Sequence, residues 1–218
     1  MNNSNSNSNN DSNNSYMVDG NNSCTDDEQN QNTETSVMEE EIESGTNGSV
    51  YKFVHKYILW AHSTTKTDWS LESFDKVTEI TNVSEFWRLF NNFHKFDYDS
   101  QHYFLMREGV IPLWEHTTNK NGGICSLKIN IEGGVNALTF LAIMMALGKI
   151  TTDPNDSIDI NGVSMSPHYN FMLVKIWCNN FENKIIEKLN PSIANKYADI
   201  SIMYLKNNEK QNVNKNKE

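Results

Sequence analysis

The sequence predicts an α+β domain set between two polar tails, and three observations carry that prediction. Between residues 51 and 205, runs of branched and aromatic residues with strand character alternate with about three helix signals. Aromatic residues collect in the same stretch: only Tyr16 precedes it, and all five Trp lie within it. Charge divides as well. The chain has 18 Lys and Arg against 28 Asp and Glu, and residues 1–50 hold ten of the acids and none of the bases.

The elements follow in order. Residues 1–49 begin with an Asn- and Ser-rich tract and continue with acids and Gly, so they have little to bury and are expected to be a disordered tail. Tyr51 to Trp60 reads as a strand buried on both faces, His62 to Ser73 as a loop, and Phe74 to Ile80 as a second strand. Asn82 with Glu85 marks a helix start of the capping-box kind, and Phe86, Leu89, Phe90 and Phe93 form its apolar stripe.

His102 to Met106 and a short Val110 to Trp114 read as strands around a Glu108-Gly109 turn. His116 to Gly123 reads as an open hairpin connection, and Ser126 to Ile131 as its return strand. Val135 to Leu147 is a largely buried helix stopped by Gly148. Ile158 to Val163 and Phe171 to Trp177 pair around a loop with Pro167. Asn180 to Leu189 reads as an amphipathic helix and Ile200 to Leu205 as a last strand. The domain is expected over residues 50–205, with 206–218 a second, Lys- and Asn-rich disordered tail.

Several function classes are disfavoured. No run of eighteen apolar residues exists, so no membrane span is expected, and residues 1–20 lack the marks of a signal peptide. Three widely spaced cysteines, Cys24, Cys125 and Cys178, suggest reduced thiols in the cytoplasm or nucleus. The six His show no metal-ligand spacing, and no phosphate-cradling or nucleophile motif appears. No enzymatic activity, metal or cofactor is therefore expected. Cys178, beside apolar Trp177, reads as core rather than nucleophile. A net-acidic chain does not hold duplex nucleic acid by charge alone, so any nucleic-acid role needs a small specific site.

Two tryptophans suggest such a site. Trp69 sits among polar residues, and Trp114 precedes Glu115 and a polar loop. Each alone could fold back over the core. Together, two indoles can hold a planar cation between their faces, and an adjacent carboxylate can accept hydrogen bonds from that cation's edge. A purine alkylated at N7 is such a cation.

Leu59-Trp60, the isolated Trp69, Val83-Ser84-Glu85-Phe86-Trp87, Gly109-Val110-Ile111-Pro112-Leu113-Trp114-Glu115 and Asn119-Lys120-Asn121-Gly122-Gly123 follow one another as in a known family. In order and spacing the chain resembles the eukaryotic translation initiation factor 4E family over about residues 51–205. The resemblance implies a curved antiparallel sheet of about eight strands with about three helices on its convex face. It also implies a concave slot for the 7-methylguanosine cap of messenger RNA. Carried over, Trp69 and Trp114 are the stacking pair, Glu115 reads the base edge, the Trp114 backbone contacts the base carbonyl, and Trp60 and Trp177 are framework.

The convex face is implied to receive a partner helix with a Tyr-x-x-x-x-Leu-apolar motif, from a factor 4G-like scaffold or a 4E-binding protein. Val83 and Trp87 share one helix face, with Phe140 and Met144 on the next helix. On residue type alone Trp87 reads as core. The implied protein is a monomer.

Some positions depart from the family. Ile124 and Cys125 follow Gly122-Gly123 where Arg and Trp are usual, and His168 and Leu173 stand at basic positions. Lys175 lies two residues past Leu173, on the same strand face. It reads either as a replacement phosphate contact or as a solvated strand lysine. His168 could donate to a phosphate when protonated but is mostly uncharged near neutral pH. Losing two or three charge-assisted contacts of about 1.5–3 kcal/mol each would weaken cap binding by orders of magnitude. Leu141 replaces an acidic partner-facing position, Tyr51-Lys52 a His-Pro, and Tyr57 a Trp common in the family. These departures support a second reading: a cap-linked translational repressor or interaction module with weakened or lost cap binding.

Overall fold

The computed structural model of the chain describes residues 50–207. The expected tail at 1–49 lies outside the described residues, as does all of the second tail after Asn207. Lys206 ends the last strand and Asn207 is buried.

Seven strands are present among the described residues: β1 (Lys52–Ser63), β2 (Asp75–Asn82), β3 (Gln101–Arg107), β4 (Gly123–Ile129), β5 (Ile160–Pro167), β6 (Met172–Cys178) and β7 (Ile202–Lys206). They form one curved, open antiparallel sheet in the order β2-β1-β3-β5-β6-β4-β7. The helices are α1 (Val83–Phe90), α2 (Gly134–Ala146) and α3 (Pro191–Lys196), with short 3-10 turns between elements. The α+β architecture is as expected.

The eighth expected strand, Val110 to Trp114, is absent. Pro112 has no N–H to give a ladder, and Val110 N–H and Leu113 N–H close tight turns onto Arg107 O and Ile111 O. The hairpin expected from His116 to Gly123 is also absent, because β3 and β4 are not neighbours. The connection passes the ends of β5 and β6, which lie between them. Asn180 to Leu189 is not an α-helix either. Two 3-10 turns, Phe181–Asn183 and Ile185–Lys188, meet at Lys184, whose φ of 49° is left-handed. Asn183 donates to Asp156 and Asp159, and Lys188 also reaches Asp156, so tertiary contacts override the helical pattern. The helix in this region is α3, started by Pro191 at its first turn with Asn190 as cap.

The capping signal at α1 holds. Asn82 Oδ1 accepts from Glu85 N–H at 2.9 Å, while the Glu85 carboxylate reaches one residue further back, to Thr81 N–H and hydroxyl. Those bonds to Thr81 hold the Glu85 carboxyl below its ordinary value. Phe86, Leu89, Phe90 and Phe93 are all buried.

Strand alternation sorts the sheet into two faces. Tyr57, Leu59, Tyr103, Leu105, Leu127, Val163, Val174 and Ile176 join helix residues such as Phe86 and Leu138 in the main core. The opposite set, Phe104, Met106, Ile124 and Trp177, forms a second cluster with Phe74 and Val110, against which Trp60, Leu113 and Trp114 pack. This second cluster floors the open face. The first half of β1 is not buried on both faces as expected, since Val54 is exposed. Pairing with β2 is irregular between Lys52 and Tyr57; within that stretch Phe53 still packs against the core, while Val54 points to solvent.

Candidate functional site

The open face carries a cavity of about 450 Å³ lined by Trp69, Trp114, Glu115, His168 and Lys175, together with His102, Phe104, Ser166 and Trp177. All five slot residues singled out in the sequence, from four separate stretches of chain, therefore meet in one place. Trp177 is buried, with its indole N–H donating to Ser164 Oγ at 2.9 Å, yet its ring contributes to the floor. Trp60 packs against the second cluster and does not line the cavity.

Trp69 is held from behind. Trp69 is 47% exposed, and its indole lies flat on the buried His62 imidazole, with ring centroids 4.1 Å apart and 14° between planes. His62 Nε2 donates to Asp68 O at 2.8 Å, and the Asp68 carboxylate accepts from Ser70 N–H and Oγ, both at 2.8 Å. These bonds brace the turn on either side of Trp69 and hold the Asp68 carboxyl below its ordinary value. His102 lies opposite His62 across the β1–β3 ladder and presents its ring to Trp69 at 5.4 Å. Burial, then Lys175, His62 and His168, push the His102 pKa down to about 4. The floor beside Trp69 is thus neutral imidazole at ordinary pH.

Trp114 is half-buried and Glu115 exposed, on the connection between β3 and β4. The polar residues there conceal a buried hub. Asn119 is fully buried, and its Nδ2 donates to both Ile111 O and Leu113 O at 2.7 Å. Its Oδ1 accepts from Asn161 Nδ2 at 2.7 Å, and its backbone O from Asn207 Nδ2 at 2.7 Å. The register of β5 against β6 shifts between Ile160 and Gly162, which sets Asn161 out of the ladder. The glycine step that closes the connection is required by close packing. A Cβ on Gly122 would stand 1.7 Å from Cys178 O.

At the far side of the slot, β6 presents Lys175 on the open face, with Nζ 3.4 Å from Ser166 Oγ. His168 is exposed and stacks on Phe171 at 4.5 Å. Burial, Lys175 and Lys128 lower its pKa, so it is uncharged near neutral pH. A residue missed in the sequence is Lys128, which alternates with Ile124 and Ser126 on the open face of β4. Its Nζ stands 4.3 Å from the Phe171 ring centroid. Its signal was strand periodicity, legible only once the pairing of β4 with β6 is known.

On the helix face, Trp87 is 43% exposed and Val83 and Phe140 are partly exposed. Phe140 packs edge-on against Tyr197. Met144 is 7% exposed and Leu141 is fully buried, so both belong mainly to the core. Trp87 is a surface residue, against its reading from residue type alone. Its neighbour Phe86 fills the core position.

Cys125 and Cys178 are buried free thiols. Burial pushes Cys125 up to about 12 and also raises Cys178. Neither is a nucleophile at neutral pH. Among the described residues, no group of three or more His, Cys, Asp or Glu is placed to hold a metal, and no helix is long and apolar enough to cross a membrane.

The family model described as eukaryotic initiation factor 4E matches residues 52–218. The chain is similar to an Acanthamoeba polyphaga mimivirus initiation factor 4E homolog, 25% identical over 156 residues, covering 55% of this chain and 57% of that protein. It is 24% identical over 165 residues to Xenopus laevis initiation factor 4E, covering 71% and 76% respectively. The match to the Schizosaccharomyces pombe factor 4E-1 is 30% over 118 residues, covering 49% and 51%. The chain thus spans between about half and three quarters of the length of these relatives. Among solved structures, the complex of C. elegans eIF4E-3 with the 4E-binding protein Mextli and cap analog matches with a TM-score of 0.62 and 16% identity, over 75% of this chain and 96% of that one. Ascaris suum eIF4E-3 with m7G cap matches with a TM-score of 0.57 and 19% identity, over 72% and 91%. At these identities the likeness establishes a shared fold.

Proposed function

Because the chain belongs to the eukaryotic initiation factor 4E family, we propose that it binds the 7-methylguanosine cap of messenger RNA and bridges it to a translation partner. The observation that carries this reading is the meeting of Trp69, Trp114 and Glu115, from separate connections, in one slot. The methylated base is a planar cation, and it enters between the two indole faces. Glu115 accepts from the N1 and N2 edge, and the Trp114 backbone contacts the base carbonyl. Unmodified guanine presents the same edge without the charge and binds more weakly.

Lys175 contacts the phosphates, with His168 contributing only when protonated. The neutral state of His168 and the place of Leu173 leave this clamp weaker than the base site. On the other face, Val83, Trp87 and Phe140 receive a partner helix of the Tyr-x-x-x-x-Leu-apolar kind, and Met144 supports them from beneath. The 4E-binding partners named for the solved relatives support that assignment. The protein acts as a monomeric binding protein in the cytoplasm, with residues 1–49 as an acidic tail, and it is not an enzyme.

Retention on 7-methyl-GTP resin, with elution by free 7-methyl-GTP and not by GTP, tests the cap reading. One observation favours a second reading, a cap-linked repressor: Leu141, at a position where the family is acidic, is fully buried and offers a basic partner residue nothing to pair with. Recovery of a factor 4G-like scaffold from the same resin would contradict that second reading.

A further inference from the structure

Resting on the reading that Trp114 walls the slot, we propose that Asn119, tied to Asn161 and Asn207, is the positioning residue that fixes Trp114 and aims its backbone. Asn119 does not line the cavity, so it acts through the peptide it holds.

Both Nδ2 hydrogens of Asn119 are committed, one to Ile111 O and one to Leu113 O. These two carbonyls bracket Pro112, and the second belongs to the peptide bond that carries Trp114 N–H. A trans peptide is planar, with C=O and N–H opposed. Fixing Leu113 O therefore fixes the direction of Trp114 N–H, and a hydrogen bond at the carbonyl polarises the amide into a better donor. Asp cannot substitute, because its carboxylate would place oxygen against two carbonyl oxygens.

The remaining atoms of Asn119 are held from distant parts of the chain. Asn161 Nδ2 is shared between Asn119 Oδ1 and Thr118 O, at 2.7 and 2.8 Å. Asn207, 88 residues away, donates its Nδ2 to Asn119 O, and its backbone N–H donates to Gly122 O at 3.1 Å. The end of β7 thereby clamps the base of the connection that carries the slot wall. The described end of the domain is thus part of the ligand site's scaffold, although it touches no ligand.

The test uses the full chain labelled with 5-fluorotryptophan, with the Trp114 resonance identified through Trp114→Phe. In Asn119→Asp and in Asn207→Ala, the Trp114 fluorine resonance is expected to shift or broaden without ligand, while that of Trp87 stays in place. Affinity for 7-methyl-GTP is expected to fall at least tenfold in the first variant and about threefold in the second. Should Asn119→Asp fail to fold, Asn207→Ala still decides, since it removes one side-chain bond and leaves the β7 ladder intact. An unmoved Trp114 resonance, or unchanged affinity despite a shifted one, would overturn the proposal. Equal affinity of the wild type for 7-methyl-GTP and GTP would instead reject the cap reading, and the fluorine spectra would still report on positioning.

Discussion

The imidazole of His62 lies face to face with the indole of Trp69, 4.1 Å between centroids, so one face of that indole is already covered before any ligand arrives. Only the opposite face is open to the proposed cap ligand. The stack therefore fixes both the height of Trp69 and the side from which it works.

Replacing His62 by Ala removes that backing. Trp69 would tilt towards the vacated space, and 7-methyl-GTP affinity is expected to drop about tenfold, the scale of one aromatic pair of about 1.5 kcal/mol. His62→Phe retains a ring and should keep affinity within about threefold. Fluorescence titration of both variants checks this, and an unaffected His62→Ala would mean that the stack is incidental.

His102 sets a pH dependence of stability. Its pKa falls from an ordinary 6.5 to about 4 in the fold, through burial first and then Lys175, His62 and His168. Between these values the unfolded chain binds a proton that the folded chain does not. Stability is therefore complete above about 6.5 and is lost as pH falls towards 4, by up to about 3 kcal/mol. His55 and His168 are shifted in the same direction and add to the slope. Lowered carboxyls such as Glu79, at about 2, act at lower pH. Urea denaturation across this window should show a shallower pH slope for His102→Gln than for the wild type.

Lys175 is expected to act on the phosphates alone. Lys175→Ala should weaken 7-methyl-GTP about tenfold, one charge-assisted contact, and leave 7-methylguanosine unchanged. Calorimetric titration with both ligands separates this from damage to the base site, which would weaken the two equally.

Trp87→Ala should abolish binding of a Tyr-x-x-x-x-Leu-apolar peptide, with little effect on the melting temperature. Trp87 is 43% exposed and Phe86 fills the core position beside it. Loss of more than about 10 °C in the melting temperature would assign Trp87 to the core instead.

Much of this organisation could be read from the chain. The Asn82 and Glu85 signals, the Gly148 stop and the alternation around Trp177 are local, and local patterns survive folding. What could not be read depends on strand order. The eighth strand and the hairpin were inferred from a turn-rich stretch whose ends join non-adjacent strands. Asn119 stands in the Asn119-Lys120-Asn121-Gly122-Gly123 run, but its structural role is not legible there, because its partners Asn161 and Asn207 lie 42 and 88 residues away. Val83, Trp87 and Phe140 keep surface area, whereas Met144 turns inward because α2 packs most of its circumference against β5 and β6.

The proposed slot recognises a cationic purine between Trp69 and Trp114. Its most direct test is fluorescence titration of the full chain with 7-methyl-GTP and with GTP, repeated on Trp114→Ala. 7-methyl-GTP is expected to bind at least a hundredfold more tightly than GTP, with that preference lost in the variant. Equal affinity for the two nucleotides, or an unchanged preference in Trp114→Ala, would contradict it.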